Sequence, residues 1–90
     1  MNDDLQRNHA AIWAAIDEIA ARQGVSTSRL SILSGGDSTA FNPSKRVKDG
    51  RCRWPSTERI AMVLAFSGMS FAEFGALVEE KGRYLSRSKP

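Results

Sequence analysis

The sequence predicts an all-α domain, a compact unit of five helices, on three observations. Apolar residues recur at three- and four-residue spacing rather than alternating. Glycine stops and serine or aspartate caps divide those stretches. Ninety residues support one core but not a second independent one. A single domain is therefore expected over 1–85, with 86–90 as a tail or the start of a linker.

The first helix is expected from about 3 to 23, where Leu5, Ile12, Trp13, Ile16, Ile19 and Ala20 form one stripe and Gly24 supplies a left-handed stop. Ser26 can cap a second helix from about 27 to 34, with Leu30 and Leu33 inward, and Gly35-Gly36 ends it after barely two turns. Asp37 suits the N-cap of a third helix opening at Ser38-Thr39-Ala40-Phe41. Pro43 removes a main-chain donor, so that helix is expected to be short or bent. Residues 47–55 read as a basic loop closing on Trp54-Pro55. Ser56 and Glu58 open a fourth helix carrying Ile60, Val63, Leu64 and Phe66, stopped by Ser67-Gly68. Ser70-Phe71-Ala72-Glu73 is a capping box for a fifth, which buries Phe71, Phe74, Leu77 and Val78 and ends near Lys81 before Gly82. No segment alternates with period two, so no strand is expected.

Charge is distributed unevenly. Residues 1–44 carry net −2 and residues 45–90 net +5. Within 45–53, Lys45, Arg46, Lys48, Arg51 and Arg53 face only Asp49. That run is either a phosphate-binding footprint or a solvated loop. Cys52 is the only cysteine, so neither a disulfide framework nor a thiolate zinc site is available, and a reducing compartment fits. The acidic start Met1-Asn2-Asp3-Asp4 is unlike a secretory signal, and the longest uncharged stretch falls short of a membrane span. A cytoplasmic protein, at the bacterial nucleoid, is expected, with no membrane partner.

Two short helices joined by a tight glycine turn are what a DNA major groove accepts. Thr27–Ser34 would be the supporting helix, Gly35-Gly36-Asp37 the turn, and Ser38 to about Arg46 the recognition segment. Ala40 and Phe41 would hold it to the core, leaving Ser38, Thr39, Asn42, Lys45 and Arg46 outward. Asn pairs bidentately with adenine, Lys or Arg with guanine, and Ser or Thr with bases or phosphate. Lys45 and Arg46 suit phosphate better than bases, because charge needs little geometry to hold a polyanion. Lys48 would join the phosphate footprint, and Arg51 and Arg53 would either reach backbone or minor groove from the loop or stay solvated.

The run from Ser26 through Phe41, with Leu30, Ser31, Ser34, Gly35 and Phe41 at helix-turn-helix spacing, resembles the lambda-repressor-like class of DNA-binding domains. Ile12-Trp13-Ala14-Ala15-Ile16-Asp17, Phe41-Asn42-Pro43-Ser44-Lys45-Arg46 and Arg53-Trp54-Pro55-Ser56-Thr57-Glu58 resemble, more narrowly, the N-terminal domain of phage-repressor-like regulators that often carry a self-cleaving LexA-type peptidase behind it. The resemblance covers about residues 8–80 and implies a transcriptional regulator acting on double-stranded DNA, commonly as a homodimer on paired half-sites. It leaves open a stand-alone regulator or the DNA-binding part of a longer one. Gly36 departs from the class, which usually places Leu or Val there to plug the turn. No Ser-Lys pair stands out as a peptidase dyad.

Other residues take plainer readings. Trp13 belongs to the core, and Trp54 beside Pro55 is expected to anchor a loop from the core rather than stack on a base. His9 has no second imidazole or cysteine at ligand spacing, and the sequence points to no metal or other cofactor. Cys52 reads as an incidental thiol. Leu77, Tyr84 and Leu85 are candidates for contact with a twofold partner. The competing function is a protein-interaction module, adaptor or antitoxin-like, that uses its last helix as contact face and the helix-turn-helix only as scaffold. An enzyme is not expected, because no nucleophile–base pair, metal cluster or nucleotide loop can be identified.

Overall fold

The long apolar stripe near the N-terminus does become the organising helix. In a computed structural model, which describes residues 3–87 and side chains as far as 85, α1 runs Asp3–Arg22, α2 Thr27–Leu33, α3 Thr57–Ser67 and α4 Phe71–Arg87. A single 3-10 turn covers Pro43–Lys45, and a two-stranded antiparallel hairpin pairs β1, Val47–Lys48, with β2, Arg51–Cys52. The domain is compact and mostly helical. It differs from the expected five-helix, all-α arrangement in having four α-helices and a small hairpin.

Trp13, Ala15, Ile16, Ile19 and Ala20 of α1 form the centre of the core, joined by Leu30 of α2, Phe41, Val63 and Leu64 of α3, and Phe74 and Leu77 of α4. The main packing is α1 against α4. At one point on this contact, a methyl group added at Gly82 would lie 3.8 Å from Cβ of Ala11, ordinary van der Waals distance. Gly82 does not end the last helix, which continues to Arg87 because α1 supports it along its length. Residues 86 and 87 of the expected tail thus belong to α4, and 88–90 lie outside the described residues.

The caps form as their chemistry requires. Ser26 and Ser56 each accept the backbone N–H three residues on, from Arg29 and Arg59 respectively, both at 3.1 Å. Ser70 and Glu73 exchange reciprocal bonds of 2.8 and 3.0 Å. At the end of α2, Gly36 N–H donates to Ser31 O at 2.7 Å and Gly35 N–H to Ile32 O at 3.0 Å, closing the helix in a Schellman motif. Gly35 occupies φ +105°, which a side chain would strain.

The third helix does not form, and the reason lies in two residues. Asn42 precedes proline, so clash with the ring drives it out of the helical region to φ −64°, ψ 151°. Pro43 then starts the 3-10 turn, where its missing N–H costs nothing. Upstream, Asp37 caps a turn rather than a helix: its Oδ1 accepts from both Thr39 N–H, at 2.8 Å, and the Thr39 hydroxyl, at 2.6 Å. The expected basic loop at 47–55 contains the hairpin instead. Asp49 and Gly50 occupy its two turn positions at φ 55° and 73°, the left-handed pair that a two-residue hairpin needs.

Several side chains expected in the core are not there. Leu33 and Phe71 are exposed, and Trp54 is about two-fifths exposed. Conversely Leu77, a candidate for contact with a partner subunit, is buried.

Candidate nucleic-acid interface

The basic hairpin is held at its base by α1. The Nε2 atom of His9 lies 2.8 Å from both Arg46 O and Arg53 O, and Trp13 Nε1–H donates to Arg53 O at 3.0 Å. Arg53 N–H in turn donates to Arg46 O at 2.8 Å, so the two carbonyls where the strands leave the domain are fixed by two ring nitrogens of one helix. His9 is buried, and its ring meets that of Trp54 edge-to-face at 5.3 Å and 82°. The lone histidine therefore has a structural place in the frame that carries the cations.

Arg46 points inward rather than out. Its guanidinium makes two parallel bonds to the Asp17 carboxylate, at 2.7 and 3.0 Å, donates to Phe41 O at 3.0 and 3.3 Å, and lies 4.6 Å over the Trp13 ring. Its side chain is only 20% exposed. The structure thus separates it from the other cations of the segment and ties the end of the 3-10 turn to α1.

The remaining candidates divide into two groups. Lys45, Lys48, Arg51 and Arg53 are exposed, and among the described residues no carboxylate comes within ion-pair distance of any of them. Lys48 and Arg51 are directly opposed across the hairpin, an arrangement of like charges that costs stability in isolation. Ser38 and Thr39 are exposed on the turn, with the Thr39 hydroxyl committed to Asp37. Asn42 is half-buried and accepts from the Ser28 hydroxyl at 3.4 Å, so it faces α2 as well as the outside.

Two carboxylates bear on this face, Asp49 in the hairpin turn and Asp37 on the turn before Ser38. For Asp37 the bonding is explicit. The hydrogen bond from the Thr39 hydroxyl, followed by that from its backbone N–H, holds the carboxyl below its ordinary value, helped by the charges of Arg59 and Lys45. It stays ionised and offsets part of the positive charge. Arg59 reaches from α3 to within 3.8 Å of it. The same guanidinium fills the space beside Gly36: a methyl group there would collide with Arg59 Nη1 and come within 2.7 Å of Ser31 Oγ. Arg59 thus occupies the space that a side chain at position 36 would need.

Sequence reasoning missed three participants, His9, Arg59 and the hairpin. The hairpin had a signal, Asp49-Gly50 between two residue pairs able to form short strands. His9 and Arg59 had none, since their partners lie 37 and 44 residues away for His9 and 22 for Arg59.

Comparisons with protein-family profiles, with curated proteins and with solved structures gave no match to this chain.

Proposed function

We propose that this domain is a sequence-specific DNA-binding module of a transcriptional regulator, with a lambda-repressor-like order of elements in which α2, the turn at 38–46 and the hairpin together form the DNA face. The observation that carries the reading is the set of four exposed cations, Lys45, Lys48, Arg51 and Arg53, which have no carboxylate within ion-pair distance among the described residues and lie on a segment fixed to α1 by His9 and Trp13. Fixed cations on a rigid segment suit a polyanion of fixed spacing. Ser38, Thr39 and Asn42, on the irregular backbone at 38–42, are the candidate base contacts, and on this reading they act from a turn and a hairpin in place of a regular recognition helix.

The test is selection of binding sites from randomised duplexes, followed by affinity against salt for the parent and for Lys48→Gln, Arg51→Gln and Arg53→Gln. Each cation that contacts a phosphate contributes about 0.9 to the slope of log K against log salt. The triple variant should lose about 2.7 units of slope if all three cations contact phosphates. An unchanged slope, or no enrichment of any sequence at low salt, would sink the proposal. A second reading, protein interaction, is favoured by Phe66 and Phe71, both exposed on either side of the α3–α4 corner. It predicts no duplex affinity at all.

A further inference from the structure

Beside the hairpin lies a groove of about 340 Å³ between the turn at 37–45 and the segment 53–59. Its apolar lining comes from Trp13, Phe41, Trp54 and Pro55, and four cations border it, Lys45, Lys48, Arg53 and Arg59, against the single carboxylate of Asp37. We propose that this groove binds a small planar aromatic anion, one ring bearing a phosphate or carboxylate, and that its occupancy opposes DNA binding.

The lining is what separates this from a phosphate contact alone. A cation on a convex surface suffices to hold a DNA phosphate, and needs no aromatic lining. Here the groove is concave, and its volume is at the small end of ligand pockets, right for one ring with one charged group. Trp13 and Phe41, buried and packed edge-to-face at 6.1 Å, form the floor, and Trp54, two-fifths exposed and braced by His9, supplies the accessible aromatic surface, in place before a ligand arrives. The cations supply the charge complement. Of the four, only Arg59 has a carboxylate within ion-pair distance among the described residues, and that pair is a long one at 3.8 Å. The site rests on the groove alone. The antagonism rests on the DNA interface proposed above, because Lys45, Lys48 and Arg53 belong to both.

The experiment titrates the intact chain with phenyl phosphate, and separately with phenol and with inorganic phosphate, while following backbone amide and tryptophan indole N–H resonances. Phenyl phosphate should bind about tenfold or more tightly than either half, the increment expected of ring stacking, and should move the Trp54 indole signal. Trp54→Leu should reduce phenyl phosphate to the level of inorganic phosphate. Lys48→Gln with Arg53→Gln should weaken binding about tenfold without lowering the melting temperature, since both side chains are exposed and Lys48 opposes a like charge. Equal affinity for phenyl phosphate and inorganic phosphate would reduce the groove to a patch of charge and overturn the site, as would signals that move elsewhere. In a parallel measurement at matched ionic strength, phenyl phosphate should lower duplex affinity more than inorganic phosphate does. A chain that binds no duplex refutes the DNA reading while the titration still decides the groove. Duplex affinity indifferent to phenyl phosphate refutes the antagonism alone.

Discussion

Replacing Arg46 by methionine should damage the fold far more than the DNA affinity of the molecules that remain folded. Methionine retains an apolar stem over Trp13 and removes the guanidinium. The lost contacts are the paired bonds to Asp17, the bonds to Phe41 O and the position over the Trp13 ring. The Asp17 side chain is 47% exposed, so screening limits that ion pair to about 0.5–1 kcal/mol. The charge-assisted bond to a main-chain carbonyl contributes about 1 kcal/mol more, and the cation–π contact about 0.5–1 kcal/mol. Arg46→Met should therefore cost about 2–3 kcal/mol, which for a domain of this size lowers the melting temperature by about 10–20 °C. Lys45→Met, one residue earlier on an exposed and unpaired side chain, should stay within about 0.5 kcal/mol of the parent. Thermal unfolding followed by circular dichroism measures both, and a double-mutant cycle with Asp17→Asn isolates the ion pair. If Arg46→Met melts within a few degrees of Lys45→Met, the guanidinium is not holding the turn to α1 and the assignment is wrong.

Three further predictions rest on other parts of the molecule. Gly36→Ala should displace Arg59 from Asp37 and cost about 1 kcal/mol, and Arg59→Ala should recover part of that loss in the double variant; additive losses would show that the two positions do not compete for space. Gly50→Ala puts a side chain at φ 73° and should cost about 1 kcal/mol in thermal melts, with duplex affinity falling if the hairpin geometry matters to binding; an unchanged melt would contradict the turn assignment. The Glu73 carboxyl is held below its ordinary value of 4.5, first by the Ser70 backbone N–H and then by its hydroxyl. A depressed carboxylate stabilises fully above its ordinary value, and that contribution disappears as pH falls through the folded one. Melting temperatures of the parent and Glu73→Gln should therefore differ at neutral pH and converge in acid, and a gap that persists below about pH 2 would rule out the ionised cap.

Helix starts and stops were legible because they depend on neighbours in sequence. Ser26, Ser56 and the Ser70–Glu73 pair mark their helices as local chemistry requires, and the stripe from Ile12 to Ala20 packs as its spacing indicates. Local rules also covered the two places where the reading went astray. Asn42 before Pro43 disfavours a helix more strongly than a mere bend, and Asp49-Gly50 carries a hairpin signal even though the flanking pairs are too short to alternate visibly. Position in space was beyond local rules. Arg46 reads as one more cation in a basic run, and only its fold neighbour Asp17, 29 residues earlier, draws it inward. Phe71 satisfies the helical periodicity yet faces solvent, because α4 packs through Phe74 and Leu77. Gly82 reads as a stop, and the close packing of α4 on α1 overrides it.

The attachment of the hairpin makes a socket of the domain. The two strands are secured chiefly at their mouth, where His9 and Trp13 hold the carbonyls of Arg46 and Arg53 and the Arg46 guanidinium holds Asp17. The tip from Lys48 to Arg51 is exposed along its length. Exposed side chains at Lys48, Asp49 and Arg51 should therefore be exchangeable with little effect on the four-helix body, provided the two ring donors, Arg46 and the turn glycine remain. One scaffold can in this way carry tips of different charge and reach, and swapping that short segment between otherwise identical chains would transplant binding preference as a cassette.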